Sequence, residues 1–439
     1  MAGDSDQNSG DSDTGSLERF RRSQRRRLSS PEQNPPRLGG SGIVDGCLPR
    51  RSQCATGEPA LPCALPTRRA EAATTSTSAI EASPGAGSSK RPSQSQFRHL
   101  RLGIETEFLL AARNPDHNRP RLDHFAEVLA ANYNAHIDRS RRHPRMNSTL
   151  LAPNDPDDNK KWSMVYESTN WRDKSPWGIE MRSPILDVFP HSAWRAHVIK
   201  TWGYLDKHYK ILGDDRCSTH IHVSMIPKYN LADLKHIAST IIHFEEAFEA
   251  LMPDHRRGNG FAASNWLCSP YLRRQGKNRL QSIEAIRKAN DEVEVFRLIQ
   301  GLDNNNFCWN FLTVFGDKGT IEFRQPPASI RVADVLGWAE LVMNFIQASL
   351  LFGSSAHIFP ANVGGLRSFI EQVNVDGVNK PDWLRHIWEG KRKDMAFRPK
   401  QIHPERLSKW DSTQQLTEKI VAELRSSRMR QNLVYKANS

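Results

Sequence analysis

The stretch Gly103-Ile104-Glu105-Thr106-Glu107-Phe108-Leu109 decides how the rest of the chain is read. Successive side chains of a strand point to opposite faces. As a strand, this stretch puts Glu105 and Glu107 on one face and Ile104 and Phe108 on the other. Three later segments repeat the pattern. In Gly178-Ile179-Glu180-Met181-Arg182, Glu180 and Arg182 share a face opposite Ile179 and Met181. In Thr219-His220-Ile221-His222-Val223, the two histidines oppose Ile221 and Val223. In Thr320-Ile321-Glu322-Phe323-Arg324, Glu322 and Arg324 oppose Ile321 and Phe323. Any one of these alone describes a strand with a solvated polar face or a weak surface ion pair. Four together point to one sheet. Its apolar face packs on helices, and its other face gathers four carboxylates, two imidazoles and two guanidiniums.

Carboxylates so close raise one another's pKa, and a divalent cation relieves the repulsion. An oxygen-rich, thiol-free donor set suits Mg²⁺ or Mn²⁺ rather than structural zinc. Arginine forks beside such a site suit the phosphates of a nucleotide. The sequence holds no GxxxxGK[ST], no GxGxxG after a strand, no GxSxG and no HExxH. A nucleotide site here is therefore neither a P-loop nor a Rossmann site.

Outward from these strands, the 439 residues are 38% hydrophobic and 25% charged, which suits a folded region carrying a polar extension. Residues 1–96 are rich in Ser, Gly, Pro, Gln and Arg and are expected to be a disordered tail. Within them Arg21, Arg22, Arg25, Arg26 and Arg27 read as a nuclear-import or anion-binding patch, or as a solvated charge run. Residues 97–352 form the expected catalytic domain, and residues 353–439 a helical C-terminal extension. Helices are expected near 121–135, 190–210, 230–252, 281–300 and 334–352, with a long loop over 138–161. The 230–252 helix shows an apolar stripe through Leu234, Ile237, Ile241, Phe244 and Phe248. Phe311–Gly316 and Thr320–Gln325 read as two strands of a hairpin turning at Asp317-Lys318-Gly319.

No window of about 18 consecutive apolar residues occurs, so no transmembrane helix is expected. The N-terminus is acidic and polar, unlike a secretory signal. Six cysteines without a CxxC pair fit a reducing compartment. The expected location is cytoplasmic or nuclear. The net charge of +12 is a weak sign of nucleic-acid binding, because aromatics do not interleave with the basic residues.

The motifs Gly103–Glu107, Gly178–Pro184, Cys217–Ser224 and Gly319–Arg324 resemble, in order, those of the glutamine synthetase-like carboxylate–amine ligases. The likeness is greatest to the amidoligase branch related to glutamate–cysteine ligase. It covers about residues 97–352. The resemblance implies an α+β fold, with a curved, mainly antiparallel sheet, the active site on its concave face and helices on its outer face. It implies ATP- and Mg²⁺-dependent amide formation between a carboxylate and an amine through an acyl phosphate. By the same resemblance Glu105, Glu107, Glu180, Glu322 and His220 are metal ligands. His222 lies near the transferred phosphate, and Arg324 stabilises phosphoryl charge.

Arg182 stands where relatives often carry an apolar residue; it binds a substrate carboxylate or pairs with a site glutamate. Glu167-Ser168-Thr169 stands where relatives often carry Asp-x-Ser, which leaves the role of Glu167 open. Asn310 reads as a buried amide at a strand end, and Cys217 as a small buried residue rather than a nucleophile. The loop His255–Gly260 covers a nucleotide, binds an acidic substrate or is simply solvated. Small-molecule and peptide substrates both stay open, as does the oligomeric state. Two other functions fit the same residues: a catalytically inactive homologue used as a binding module, and a hydrolase holding zinc with His220 and His222.

Overall fold

A fourteen-residue strand, β1 (His99–Ala112), runs through the middle of the sheet. Its even residues from Leu100 to Phe108 are buried in the core, while Arg101, Gly103 and Glu105 are more open. The computed structural model describes residues 97–137, 142–148, 158–165, 170, 172–301, 306–315, 318–375 and 383–402. The expected disordered tail over 1–96, residues 403–439 of the extension, and Glu167 lie outside the described residues.

Around β1 the elements follow in order: α1 (Leu122–Ile137), β2 (Met146–Ser148), β3 (Trp162–Val165), β4 (Trp177–Arg182), β5 (Leu186–Val188), α2 (Trp194–His208), β6 (Tyr209–Leu212) and β7 (Thr219–Ile226). Then come α3 (Leu231–Leu251), α4 (Pro270–Arg274), α5 (Arg279–Lys288), α6 (Glu292–Ile299), β8 (Trp309–Asn310), β9 (Ile321–Phe323), α7 (Val332–Phe352), α8 (Val363–Ile370) and α9 (Leu384–Trp388). The sheet order is β2-β3-β4-β1-β7-β9-β8, with β5 and β6 pairing opposite ends of β1. Only the β2–β3 pair is parallel among the described ladders. This is the α+β, mainly antiparallel architecture that the motifs imply.

The apolar face of the sheet meets α3 and α7. Phe248 on α3 packs its ring 5.4 Å from both Trp309 and Phe323, and 5.0 Å from Phe345 on α7. An Asn230–Asp233 capping box opens α3 by satisfying its first free N–H groups. The segment Val332–Ile358 is long and apolar enough to cross a membrane by composition, yet 78% of its most apolar window is buried inside the fold. A helix covered on nearly all sides is apolar all round for that reason alone. Past residue 352 the chain packs on the same core: Phe369 of α8 lies 5.1 Å from Phe244 of α3.

Three local expectations are corrected. Residues 311–315, the described part of the first expected hairpin strand, are not a strand; the partner of β9 is β8, pairing Trp309 with Phe323 and Asn310 with Glu322. The Asn310 side chain accepts from the N–H of Leu312, and the chain turns into a 3-10 helix over Leu312–Val314. Thr313 and Thr320 then close the connection with two hydrogen bonds. The stretch 138–161 is not all loop, because β2 lies within it. The Asn134 side chain bonds both the N–H and the carbonyl of Met146 and holds that strand in place. Finally, the helix expected over 190–210 ends at His208, and β6 begins at once.

Candidate active site

The register of β1 with its neighbours sets the four motifs in rows across one face. Glu107 lies opposite Glu180. Glu105 lies between Arg182 on β4 and His220 on β7. Gly103 lies beside His222, which in turn faces Glu322 on β9. Gly103 leaves this floor open: a Cβ there would sit 3.3 Å from the His222 Cβ, tighter than ordinary packing. The sheet therefore brings together all eight residues singled out by the four strands.

Glu107, Glu180, His220, His222 and Glu322 are buried, and Glu105 is half-buried. Glu107 Oε2 accepts from the Ser218 N–H at 2.9 Å and lies 2.7 Å from its Oγ. Ser218 Oγ lies 2.8 Å from His220 Nε2. His222 Nδ1 approaches Thr320 Oγ1 at 3.3 Å. The other nitrogen of each ring, His220 Nδ1 and His222 Nε2, is buried and makes no hydrogen bond. Both point at the same two carboxylates. His222 Nε2 lies 3.2 Å from Glu105 and 3.5 Å from Glu322. His220 Nδ1 lies 3.6 Å from Glu105 and 3.5 Å from Glu322.

Ligand atoms of Glu105, His222 and Glu322 all lie within 4.8 Å of one another. Two unpartnered imidazole nitrogens aimed between two carboxylates fit a divalent cation with mixed O and N ligation. The tightest group thus contains His222, with His220 alongside facing the same oxygens. Glu107 and Glu180 occupy the next row.

Cations brace the carboxylates. Arg324 Nη1 donates to Glu322 Oε1 at 2.5 Å, and Asn310 Nδ2 to Glu322 Oε2 at 2.7 Å. Arg182 Nε donates to Glu180 at 2.6 Å and lies 3.6 Å from Glu105. Lys318 Nζ reaches Glu105 at 3.4 Å. Burial pushes the Glu322 carboxyl up, but Arg324, His222 and His220 outweigh it and hold it at about 2. Burial likewise opposes ionisation of Glu105, and the charges of His222, Arg182 and Lys318 overcome it. Glu180 goes the other way. Burial, then the Glu105 charge, raise it to about 8 against the pull of Arg182. Both carboxyls are buried, and the balance of neighbouring charge sets them apart.

The sequence signature of the family described as "putative amidoligase enzyme" matches residues 98–346, more than half of the chain and all four strands. The chain belongs to this amidoligase family. Among solved structures, the one described as "Apo GmaS without ligand" is similar over 63% of this chain and 64% of its own, with 11% identity and a TM-score of 0.28. This chain thus spans less than two thirds of that structure. No curated protein matches.

Several residues around the candidate site carry no signal in the sequence. Ser218 was visible only as a neighbour of His220, and its link to Glu107 depends on the β1–β7 crossing. Lys318 read as a turn residue, and only the folded hairpin carries it to Glu105. Arg256, in the loop expected to be solvated or to meet ligand, is buried and donates to the carbonyls of Arg324 and Gln325. Asn310 is indeed a buried amide, and what it satisfies is a site carboxylate. Cys217 is buried, and burial pushes its thiol up to about 12, the opposite of an activated nucleophile.

Proposed function

We propose that this amidoligase-family ligase joins a carboxylate to an amine at the expense of ATP, with Mg²⁺ bound at Glu105, His222 and Glu322. The observation that carries the reading is the pair of buried imidazole nitrogens, His220 Nδ1 and His222 Nε2, that make no hydrogen bond and both face the Glu105 and Glu322 carboxylates. Glu107, Glu180 and His220 line the adjoining row and extend the donor set. When bound, the metal supplies charge neutralisation for a polyphosphate.

The chain's own groups do the rest. Arg324 places a guanidinium beside Glu322 in the carboxylate cluster, where its planar fork would offer N–H donors to phosphoryl oxygens. Arg182 and Lys318, both more exposed, stand at the mouth of the cluster and offer positive charge to an incoming anion. Fixed donors of this kind stabilise charge that develops during phosphoryl transfer without reorganising. In this scheme the substrate carboxylate attacks the γ-phosphate, forming an acyl phosphate and releasing ADP. The amine then attacks the acyl carbon and phosphate leaves.

Calorimetry with Mg²⁺ and ATP tests the site without a guess at the other substrates. Saturable, Mg²⁺-dependent ATP binding by the wild-type chain, reduced at least tenfold in a folded Glu107→Gln variant, is expected. Binding that ignores Mg²⁺ or survives the substitution unchanged removes the basis for this reading. Tightly bound stoichiometric zinc would favour a hydrolase instead.

A further inference from the structure

The two histidines of the candidate site are held differently on the side away from the carboxylates. His220 Nε2 lies 2.8 Å from Ser218 Oγ. Ser218 donates both its backbone N–H and its hydroxyl to Glu107 Oε2, at 2.9 and 2.7 Å. Glu107 Oε1 stands 4.0 Å from the same imidazole nitrogen, too far for a direct hydrogen bond, so the hydroxyl bridges carboxylate and ring. Ser218 is fixed in turn. It is buried, its carbonyl accepts from the Glu107 N–H at 2.8 Å, and its backbone bridges to Pro327. His222 Nδ1 meets Thr320 Oγ1 at 3.3 Å, and that hydroxyl makes no other hydrogen bond among the described residues.

A serine hydroxyl has one proton to donate. Directed at Glu107 Oε2, it leaves Oγ only as an acceptor toward His220, so Nε2 carries the ring proton. A neutral imidazole protonated at one nitrogen keeps its lone pair on the other. That other nitrogen is Nδ1, buried, without a hydrogen bond, and 3.6 and 3.5 Å from Glu105 and Glu322. Without the serine, those two carboxylates would draw the proton to Nδ1, where an N–H facing them gains a charge-assisted contact. We propose that Ser218 is a positioning residue: it holds His220 in the Nε2–H tautomer and so presents an Nδ1 lone pair at the cation position before any cation binds. From the ligase reading this takes only the cation's place among Glu105, His220, His222 and Glu322. The relay also divides Glu107. Its Oε2 has accepted two donors and is committed to Ser218, which leaves Oε1 to face the site. His222 receives no such instruction, because the Thr320 hydroxyl is free to donate or to accept.

Histidine-selective ¹⁵N labelling with long-range ¹H–¹⁵N correlation spectra reads the tautomer directly. The sample is the metal-free full chain at pH 9, where an ordinary imidazole is neutral. The signals missing from His220→Gln and His222→Gln spectra assign the two rings. Wild type is expected to show His220 protonated at Nε2. Ser218→Ala should move that proton to Nδ1 in at least half of the molecules, and Ser218→Thr, which keeps the hydroxyl, should restore Nε2–H. The His222 signals should stay in place in both variants, which a general loosening of the site would not allow. Electron paramagnetic resonance titration with Mn²⁺ should show binding weakened about tenfold in Ser218→Ala and recovered in Ser218→Thr. A wild-type His220 ring protonated at Nδ1, alone or together with Nε2, overturns the proposal. So does a folded Ser218→Ala variant that keeps the wild-type tautomer. The spectra need neither ATP nor metal, so their outcome is separate from that of the ligase reading. Serine-dependent Nε2–H in a chain that binds no Mg²⁺ and ATP would uphold the relay and defeat the ligase reading.

Discussion

Burial favours the protonated form of Glu180. Burial and the adjacent Glu105 charge raise its carboxyl to about 8, whereas an ordinary glutamate sits near 4.5. The folded chain therefore binds a proton that the unfolded chain releases above that ordinary value. The stability this contributes is complete below about pH 4.5 and is lost as pH rises through about 8. Glu322 has the opposite sign. Held at about 2, it contributes stability above the ordinary value and loses it as the medium becomes strongly acidic. The expected outcome is a melting temperature of the metal-free protein that declines between pH 5 and pH 8. Glu180→Gln should flatten that decline, because an amide has no proton to release. Differential scanning fluorimetry across this range checks it, and an unchanged slope in the variant would place the titration elsewhere.

At the scale of elements, the site depends on how α3 and the β8–β9 hairpin hold the edge of the sheet. Phe248 is the contact between them, touching Trp309, Phe323 and Phe345 at once. It is fully buried, with 1% exposure. Phe248→Ala should cost about 3–5 kcal/mol, because the aromatic cluster around it relaxes only in part. Urea unfolding measures this, and a loss below about 1 kcal/mol would mean that α3 does not support the hairpin. A second element, β4, lets the chain at Asn170 cross it closely. A Cβ on Gly178 would sit 1.9 Å from the Asn170 carbonyl oxygen, so only glycine fits between Trp177 and the Glu180 row of the candidate site.

Across the whole molecule, one buried guanidinium ties the loop after α3 to the edge of the candidate site. Arg256 is 3% exposed and donates to the carbonyls of Gln325 at 2.9 Å and Arg324 at 2.9 Å. Arg256→Ala leaves two backbone acceptors without donors, each worth about 1–3 kcal/mol when buried. A fall in the urea midpoint is expected together with weaker Mg²⁺-dependent ATP binding, because Arg324 is anchored through that segment. Calorimetry on the folded variant separates the two effects, and normal ATP binding would show the hairpin holds its position unaided.

Period-two alternation makes the four strands of the candidate site legible, since an apolar face and a charged face are written residue by residue in Gly103–Phe108, Gly178–Arg182, Thr219–Val223 and Thr320–Arg324. The stripe of α3 and the apolar length of α7 were legible for the same reason. Strands of two to four residues, such as β2, β6 and β8, carry too few side chains to show a period; β2 is held by Asn134 and β8 by the bond from Asn310 to Glu322. The chemistry divides along the same line. Which residues reach the site follows from alternation, a local property of the chain. Which of them meet one another follows from register, which is set by pairing across long sequence separations. Only the folded sheet points His220 and His222 at the same two carboxylates, raises the Glu180 carboxyl while holding that of Glu322 down, and carries Lys318, Ser218 and Arg256 to positions their own sequence neighbours do not suggest.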